Sequence, residues 1–320
     1  MNRVRVAVVG AGAFGRNHLR VVRESGAAEL AAVVDIDADR ARQAGQDYGC
    51  AAYQDWRELA GRADAAIVAV PTVLHEEVAC GLISLGFDVL VEKPVAADAG
   101  SARRIIEAAR GRERVLQVGH LERFNPAVVA LGRILTQPLF FEIHRMNLFS
   151  PRCLDVDVVL DLMIHDIDLV LSMTGLMPEE VRAAGIHILS PKVDIAHVRL
   201  AFPGGCVANL TASRVSTERI RKMRLFQPHQ YVSIDYSRQD GAVFSVSPDN
   251  QIGFQALPVE KKEPLAAQWE EFAAAVAGRR QPAVSGQDGL KALEVALEVL
   301  ARIEAHAAVV EASLSARGVA

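Results

Sequence analysis

Three residues with acid–base side chains stand out by their spacing. Lys93 comes at the end of an apolar run, Asp-Val-Leu-Val-Glu-Lys-Pro, where a buried strand would stop. Asp161 and His165 are four residues apart in a segment of helical period that ends at Gly175. Residues with this spacing share a helix face, with Cβ atoms roughly 5–6 Å apart. Histidine titrates near neutral pH, and a lysine amine can hydrogen-bond a hydroxyl group, so the three residues predict proton transfer on a substrate hydroxyl.

Each of these residues also has a plainer interpretation. Lys93 can be a solvated residue at a strand end, paired with Glu92. His165 can be an ordinary hydrogen-bonded histidine, and only its spacing from Asp161 favours more. A metal site is a further alternative, because Asp157, Asp161 and His165 form one stripe of the same segment.

The elements that would position Lys93 alternate between strands and helices. Apolar runs suited to buried strands cover residues 3–10, 28–35, 64–70, 88–94 and 114–120, with helical segments between them. This alternation predicts a parallel sheet with right-handed crossovers. Ligands of such sheets bind at the carboxyl ends of the strands, which is where Lys93 lies.

The turn after the first strand predicts a dinucleotide site. Gly10, Gly12 and Gly15 have the GxGxxG spacing, between a strand and a helix, and Asp35 ends the next strand 20 residues after Gly15. Gly12 would let the backbone approach a pyrophosphate, and Asp35 would accept hydrogen bonds from ribose hydroxyls and repel a 2′-phosphate. NAD is therefore expected and NADP is less favoured, although Arg40 could soften that preference. The expected cofactor contacts in this region also include Ala13 and Phe14.

The second half of the sequence has a different texture. A helical stretch at 125–136 and the segment carrying Asp161 are followed by β-rich runs, several with period-two alternation. In the run from 206 to 214, Asn209, Thr211 and Ser213 fall on one face, and Leu210 and Ala212 fall on the other. We predict an α/β Rossmann domain with a parallel sheet over residues 1–120, followed by an α+β domain with an open, mainly antiparallel sheet over 121–320.

Four motifs in this order resemble the Gfo/Idh/MocA oxidoreductases, the family named for glucose–fructose oxidoreductase and inositol dehydrogenase. The matching positions are Pro71, Thr72 and His75; Glu92, Lys93 and Pro94; Asp161, His165 and Asp168; and the stretch 285–294. The resemblance implies a nicotinamide cofactor held partly by Pro71, Thr72, His75, Glu92 and Lys93, and it implies no metal. It also implies a homodimer or homotetramer, because one face of the family's C-terminal sheet commonly packs on a second subunit.

The same resemblance implies a reaction. Asp161 would position a sugar hydroxyl, Lys93 would polarise it, and His165 would take its proton as hydride leaves for the nicotinamide. Local similarity points to the subgroup containing UDP-N-acetylglucosamine 3-dehydrogenases, whose product an aminotransferase uses for lipid A. The arginine forks expected to bind a sugar nucleotide are Arg123, Arg145 and Arg214. The alternatives are an inositol or free-sugar dehydrogenase and a non-catalytic NAD-binding module.

Composition limits the remaining classes. The 320 residues carry a net charge of −4, which argues against nucleic acid or a membrane as partner. No apolar run reaches the roughly 20 residues of a membrane helix, and no signal peptide is seen before the glycine motif. Four well-separated cysteines form no CxxC pair, which is typical of reduced thiols. We expect a cytoplasmic protein.

Overall fold

The computed structural model describes residues 3–26, 28–149 and 156–316. The chain forms two compact units: Met1–Phe124 with Lys262–Leu290, and Asn125–Lys261 with Lys291–Ala320. These bounds differ from the predicted domains 1–120 and 121–320 in one main respect. The segment Lys262–Leu290, expected in the second domain, packs with the first unit.

Fourteen strands and eight α-helices make up the described chain. The strands are β1 (Val4–Val9), β2 (Ala28–Val34), β3 (Ala51–Tyr53), β4 (Ala65–Val68), β5 (Asp88–Val91), β6 (Leu116–Val118), β7 (Phe140–Leu148), β8 (Glu180–Ile186), β9 (Ile195–Ala201), β10 (Val207–Ser216), β11 (Ile220–Gln227), β12 (Gln230–Asp235), β13 (Asp240–Val246) and β14 (Ile252–Ala256). The helices are α1 (Ala13–Ser25), α2 (Ala38–Tyr48), α3 (His75–Ser84), α4 (Ala99–Gly111), α5 (Pro126–Gly132), α6 (Ile164–Thr174), α7 (Pro264–Gly278) and α8 (Gly286–Ala316).

The first unit contains a six-stranded parallel sheet in the order β3-β2-β1-β4-β5-β6. Its central strands β1, β4 and β5 are buried valine-, alanine- and leucine-rich runs, as strands covered on both faces should be. The strand order reverses between β1 and β4, and ligands of open parallel sheets bind at such a reversal. The Rossmann prediction is confirmed, and the short strand β3 is the element of this sheet that the sequence did not predict.

Helix α7 completes the core of the first unit. Trp269 and Phe272 are buried in the same cluster as β1 and α1 residues. The Trp269 indole donates a hydrogen bond to the Ser25 hydroxyl at 2.8 Å, and Gln117 of β6 donates to the Gln268 carbonyl at 3.1 Å. The residues that return to this unit therefore pack against its first helix and its last strand.

The second unit contains an eight-stranded sheet in the order β14-β13-β12-β11-β7-β10-β9-β8. All neighbouring strands are antiparallel except β7 and β10, which are parallel, so the prediction of an open, mainly antiparallel sheet is confirmed. Along β10, Ala208, Leu210 and Ala212 are buried against helices while Asn209 and Thr211 are half-buried on the other face. Strands β13 and β14 were not predicted from the sequence, because their residues do not alternate clearly between apolar and polar.

Aromatic side chains form a row across the face of this sheet that the helices leave uncovered. The row comprises Phe140, Phe226, Tyr231, Phe244 and Phe254, and successive ring centroids are 5.8, 4.8, 5.4 and 5.1 Å apart. Phe226, Phe244 and Phe254 are exposed in the single chain.

Two smaller expectations concern membranes and thiols. Within residues 3–26, 28–149 and 156–316, none of the helices combines the length and apolar character needed to cross a membrane. Cys50, Cys80 and Cys206 are free thiols, while Cys153 lies outside the described residues.

Candidate functional site

The three glycines of the turn between β1 and α1 have different surroundings: two are closely packed and one faces open space. Gly10 has φ +102°, and a Cβ there would lie 2.4 Å from the Ala69 carbonyl oxygen. A Cβ at Gly15 would lie 1.8 Å from the Gly10 carbonyl oxygen. At Gly12, by contrast, a Cβ would have no atom within 4 Å. Gly10 and Gly15 are therefore needed for close packing, and Gly12 presents bare backbone to open space.

The amino end of α1 suits an anion. Gly12 is the N-cap residue, no side chain caps the helix, and no acidic residue lies in its first turn. The first N–H groups of a 13-residue helix are thus uncapped, and the helix dipole adds partial positive charge there. This is the environment in which dinucleotide pyrophosphates bind.

Asp35 is tied to the glycine turn. Its Oδ2 accepts a hydrogen bond from the Ala11 backbone N–H at 2.8 Å, and its Oδ1 accepts one from Asp37 N–H at 3.0 Å. The Arg40 guanidinium lies 3.6 Å from Oδ2. A carboxylate has about four acceptor sites, so two remain for ribose hydroxyls. Asp35 therefore both shapes the turn and can bind a ribose.

These groups border a cavity of about 750 Å³ in the first unit. Of the residues predicted to hold a cofactor, those in its wall are Gly10, Gly12, Ala13, Phe14, Asp35, Arg40 and Pro71. Ile36, Trp56, Arg57 and Leu74 add apolar and stacking surface that the sequence did not reveal. Cofactor sites are typically about 300–1,000 Å³ and mostly apolar with a few convergent polar groups, so the cavity fits a dinucleotide.

The other predicted cofactor residues lie elsewhere in the first unit. Gly15, Thr72, Glu92 and Lys93 are not among the residues of the cavity wall, and neither is His75. His75 is fully buried, and its two ring nitrogens lie 2.9 Å from the Pro94 carbonyl and 3.0 Å from the Val70 carbonyl. Burial lowers the pKa of His75, so the neutral ring can donate to only one of these carbonyls at a time. His75 thus braces two turns rather than facing the cavity.

Lys93 follows β5 and is half-buried. Its backbone N–H donates to Oε2 of Glu92 at 3.2 Å, and the bond to Pro94 is a cis peptide. The alternative in which the lysine amine pairs with Glu92 stays a prediction. Glu92 is buried, and its Oε1 accepts a hydrogen bond from Nε2 of His18 at 2.8 Å.

Asp161 and His165 lie in the second unit, in a helix that is not regular. A π-helical turn spans Val159–Met163 and passes directly into α6, which ends at Gly175 in the left-handed conformation. Asp161 is half-buried within the π turn, and His165 is buried near the start of α6. The prediction of one continuous α-helical face is corrected in this respect. Such π turns occur frequently at functional sites.

The three arginines predicted to bind substrate occupy different surroundings. Arg145 is only 1% exposed and pairs in a two-pronged contact with Asp166, at 2.8 and 2.7 Å. Arg214 is buried, donates to the Val156 carbonyl and lies 3.8 Å from Asp194. Arg123, in the first unit, lies 3.9 Å from Asp288. The Arg145 guanidinium thus forms a buried ion pair with Asp166, and its role in binding substrate stays a prediction.

The metal alternative concerns Asp157, Asp161 and His165. Across the part of the chain that the structure describes, no three His, Cys, Asp or Glu side chains form a group that could hold a metal ion. Asp157, the third member of the predicted stripe, accepts a hydrogen bond from the Val193 backbone N–H at 3.1 Å.

Sequence reasoning also missed His18. This histidine is fully buried in α1, a helix whose other buried residues include Leu19, Val21 and Val22. The sequence did contain a signal for it, because His18 lies on the apolar face of the helix that begins at the glycine turn. Such a residue needs a buried polar partner, and in this fold the partner is Glu92.

Comparisons with known proteins agree with this architecture. The model of the oxidoreductase family with an NAD-binding Rossmann fold matches residues 4–120, and that of the GFO/IDH/MocA C-terminal domain matches residues 136–227. The UDP-N-acetylglucosamine 3-dehydrogenase of Acidithiobacillus ferrooxidans is 35% identical over 95% of this chain and 99% of its own. An inositol 2-dehydrogenase of Paenarthrobacter aurescens is 34% identical over 65% of this chain and 66% of its own.

Solved structures give the same result. The crystal structure of the Acidithiobacillus ferrooxidans enzyme has a TM-score of 0.90, with 35% identity, and covers 95% of this chain and 99% of that one. A myo-inositol 2-dehydrogenase from Lactobacillus plantarum has a TM-score of 0.81 at 18% identity, over 95% of this chain and 98% of that one, which shows a shared fold. The chain belongs to the Gfo/Idh/MocA family of oxidoreductases.

Proposed function

We propose that this protein oxidises the 3-hydroxyl of UDP-N-acetylglucosamine to a ketone, with NAD⁺ as the hydride acceptor. The substrate assignment is supported by the similarity to a UDP-N-acetylglucosamine 3-dehydrogenase along nearly the full length of both chains. As the subgroup resemblance implies, the product would be a substrate for an aminotransferase in the modification of a lipid A precursor.

The cofactor part of the proposal rests on the cavity in the first unit. Gly12 leaves bare backbone at the uncapped end of α1, where a pyrophosphate would bind. Asp35 retains acceptor sites for ribose hydroxyls, and its negative charge disfavours a 2′-phosphate. The Arg40 guanidinium lies 3.6 Å from Asp35, so the Asp35 carboxylate compensates part of the positive charge of Arg40. NAD⁺ is therefore favoured over NADP⁺.

In the proposed mechanism, three residues act on the substrate hydroxyl group, each in a different way. Asp161 orients the hydroxyl, Lys93 hydrogen-bonds its oxygen, and His165 accepts its proton as the C–H bond breaks. A nicotinamide cofactor, when bound, would supply the acceptor for the hydride. The products are the ketone, NADH and one proton.

The test is NAD⁺ reduction by the purified protein across UDP-sugars, inositols and free hexoses, with the position of the ketone located by NMR. We expect UDP-N-acetylglucosamine to give the highest kcat/KM and a ketone at carbon 3. Preference for another compound, or oxidation at another carbon, would refute the substrate assignment.

An inositol dehydrogenase is the second candidate, because three relatives with that name are 33–34% identical over 58–65% of this chain. The same panel separates the two candidates. A non-catalytic NAD-binding module is the third, and binding of NAD⁺ without reduction by any compound in the panel would favour it.

Two single substitutions test the roles of Lys93 and His165. Lys93→Ala and His165→Ala should each lower kcat by about 10²–10⁴-fold while the Kd for NAD⁺ changes little, because a general acid–base group acts in the chemical step. If both act on one proton transfer, the double variant should lose much less than the product of the two single losses. A His165→Ala enzyme within a few-fold of the wild-type kcat would exclude this residue as the base.

We also infer a homo-oligomer, a dimer or tetramer, that uses the uncovered face of the eight-stranded sheet. The support is the row of aromatic side chains from Phe140 to Phe254, of which Phe226, Phe244 and Phe254 are exposed in the single chain. Light scattering at micromolar concentration measures the mass directly, and a monomeric mass would contradict the inference.

A further inference from the structure

His18 is a buried histidine to which the proposed reaction assigns no role. It lies in the second turn of α1, and its ring contacts the Phe14 ring edge-on with centroids 5.4 Å apart. Phe14 is part of the wall of the cofactor cavity. On its other side, Nε2 of His18 donates to Oε1 of Glu92 at 2.8 Å. His18 therefore connects the cavity wall to the residue that precedes Lys93.

The Glu92 carboxylate is held in one position. Its Oε1 accepts from His18, and its Oε2 accepts the backbone N–H of Lys93 at 3.2 Å. Both oxygens also face Gly119, where a Cβ would lie 2.7 Å from each of them. A buried carboxylate is destabilised when it loses a hydrogen-bond donor. Without His18, we therefore expect the Glu92 carboxylate to shift toward another donor or toward water.

The backbone around Lys93 is fixed on both sides by buried groups. Glu92 holds the Lys93 N–H, and Nδ1 of His75 lies 2.9 Å from the Pro94 carbonyl oxygen. The lysine side chain extends from this short segment. Its amine can be placed reproducibly only if the segment itself does not shift.

We propose that His18 is a positioning residue for Lys93, and that it acts by holding the Glu92 carboxylate against the Lys93 backbone amide. The inference rests on the proposed function, in which Lys93 contacts the substrate hydroxyl. A purely structural His18–Glu92 pair would tie α1 to β5 and contribute to stability alone. A positioning pair also governs kcat, because a misplacement of about 1 Å can cost on the order of 10²-fold in rate.

The first test compares two substitutions at His18. His18→Leu removes the donor, and we expect kcat to fall by about 10–100-fold while the KM for the sugar nucleotide and the Kd for NAD⁺ stay within about 3-fold of wild type. His18→Gln keeps an N–H donor near the position of Nε2, and we expect it to restore most of kcat. A purely structural role would not produce this split between kcat and KM or this rescue.

Val22→Ala is the matched control. Val22 is buried on the same helix and has apolar neighbours in the core of the first unit, so its truncation lowers stability without removing a contact to Glu92. We expect a lower Tm with unchanged kcat. A wild-type kcat in His18→Leu, equal kcat losses in His18→Leu and Val22→Ala, or a His18→Gln enzyme as slow as His18→Leu would each overturn the proposal.

Gly119→Ala acts on the same Glu92 carboxylate and decides the question if His18→Leu does not fold. Its methyl group would push the Glu92 oxygens away while His18 is left intact. A similar fall in kcat supports the proposal, and an unchanged kcat overturns it.

Failure of the proposed function can be told apart from failure of this inference. If the wild-type protein oxidises no sugar, the rate at which acetic anhydride acylates the Lys93 amine, followed by mass spectrometry, still measures the surroundings of that amine. A changed rate in His18→Leu, restored in His18→Gln and absent in Val22→Ala, supports the positioning role. An unchanged rate in His18→Leu overturns it.

Discussion

Replacing Asp35 by alanine should weaken NAD⁺ binding and reduce the preference over NADP⁺. The substitution removes the acceptor for the Ala11 N–H at 2.8 Å and the acceptor sites available to the ribose. A hydrogen bond to a charged group contributes about 1.5–3 kcal/mol, which corresponds to roughly a 10- to 150-fold change in Kd. We therefore expect the Kd for NAD⁺ to rise by one to two orders of magnitude.

The Kd for NADP⁺ should rise much less or fall. Asp35→Ala removes a negative charge that would face the 2′-phosphate, and it takes away one of the two carboxylates beside the Arg40 guanidinium, which lies 3.6 Å from Asp35 and 3.1 Å from Asp37. An arginine fork suits a phosphate, so the two effects oppose the loss of the ribose contact. The ratio of the two Kd values should then shift toward NADP⁺ by at least about 10-fold.

Isothermal titration calorimetry with NAD⁺ and NADP⁺ measures both constants. Asp39→Ala is a suitable control for NAD⁺ affinity, because Asp39 is an exposed residue in the first turn of α2, pairs with Arg42 and is not in the cavity wall. Equal or reversed affinities of the wild-type protein for the two cofactors would refute the role given to Asp35. An Asp35→Ala protein that binds NAD⁺ as tightly as wild type would refute the worked magnitude.

Three further predictions address the second unit, the acid stability and the assembly. Arg145→Met should cost about 3–5 kcal/mol of unfolding free energy in a denaturant titration, because it removes the two hydrogen bonds that the Arg145 guanidinium donates to the buried Asp166 carboxylate. Adding Asp166→Leu should recover most of the loss, and a large rise in the KM of Arg145→Met would support its predicted role in substrate binding. Burial lowers the pKa of His75 from its ordinary value of 6.5, so the unfolded chain binds a proton that the folded chain does not. The free energy of unfolding should therefore fall as the pH drops below about 6.5, and His75→Gln should flatten that slope; an identical slope would contradict the assignment. Phe244→Glu should dissociate the expected oligomer in light scattering, because it places a charge in the aromatic row. An unchanged mass would exclude this face.

Local chemistry explains what the sequence predicted well. The glycine turn, Asp35 and the apolar strands of the first sheet follow from short-range rules, since each requirement acts within one turn or one strand. In the second sheet the alternation along β10 shows directly which face is buried. Strands β13 and β14 were missed because β13 is only partly buried and β14 is exposed along its whole length.

Partners distant in the sequence account for the rest. Nothing local in the sequence shows that the Arg145 guanidinium lies 2.8 Å from Asp166 of α6. The pairing of His18 with Glu92 joins positions 74 residues apart. The π turn at Asp161 likewise has no signal in the helical period of its segment. Burial of a polar residue is determined by tertiary packing, so its partner cannot be read from spacing alone.

The return of residues Lys262–Leu290 to the first unit bears on how the chain folds during its synthesis. Trp269 and Phe272 belong to the core that β1 and α1 begin, so this core has an unfilled apolar surface until α7 has been made. At about 5–20 residues per second, the intervening second unit takes on the order of ten seconds to emerge from the ribosome. During that interval the nascent chain exposes surface that chaperones recognise, and a fragment ending at Phe124 would keep it exposed permanently. Gene truncations at the first boundary should therefore yield insoluble protein, whereas a fusion that restores Lys262–Leu290 supplies the missing helix.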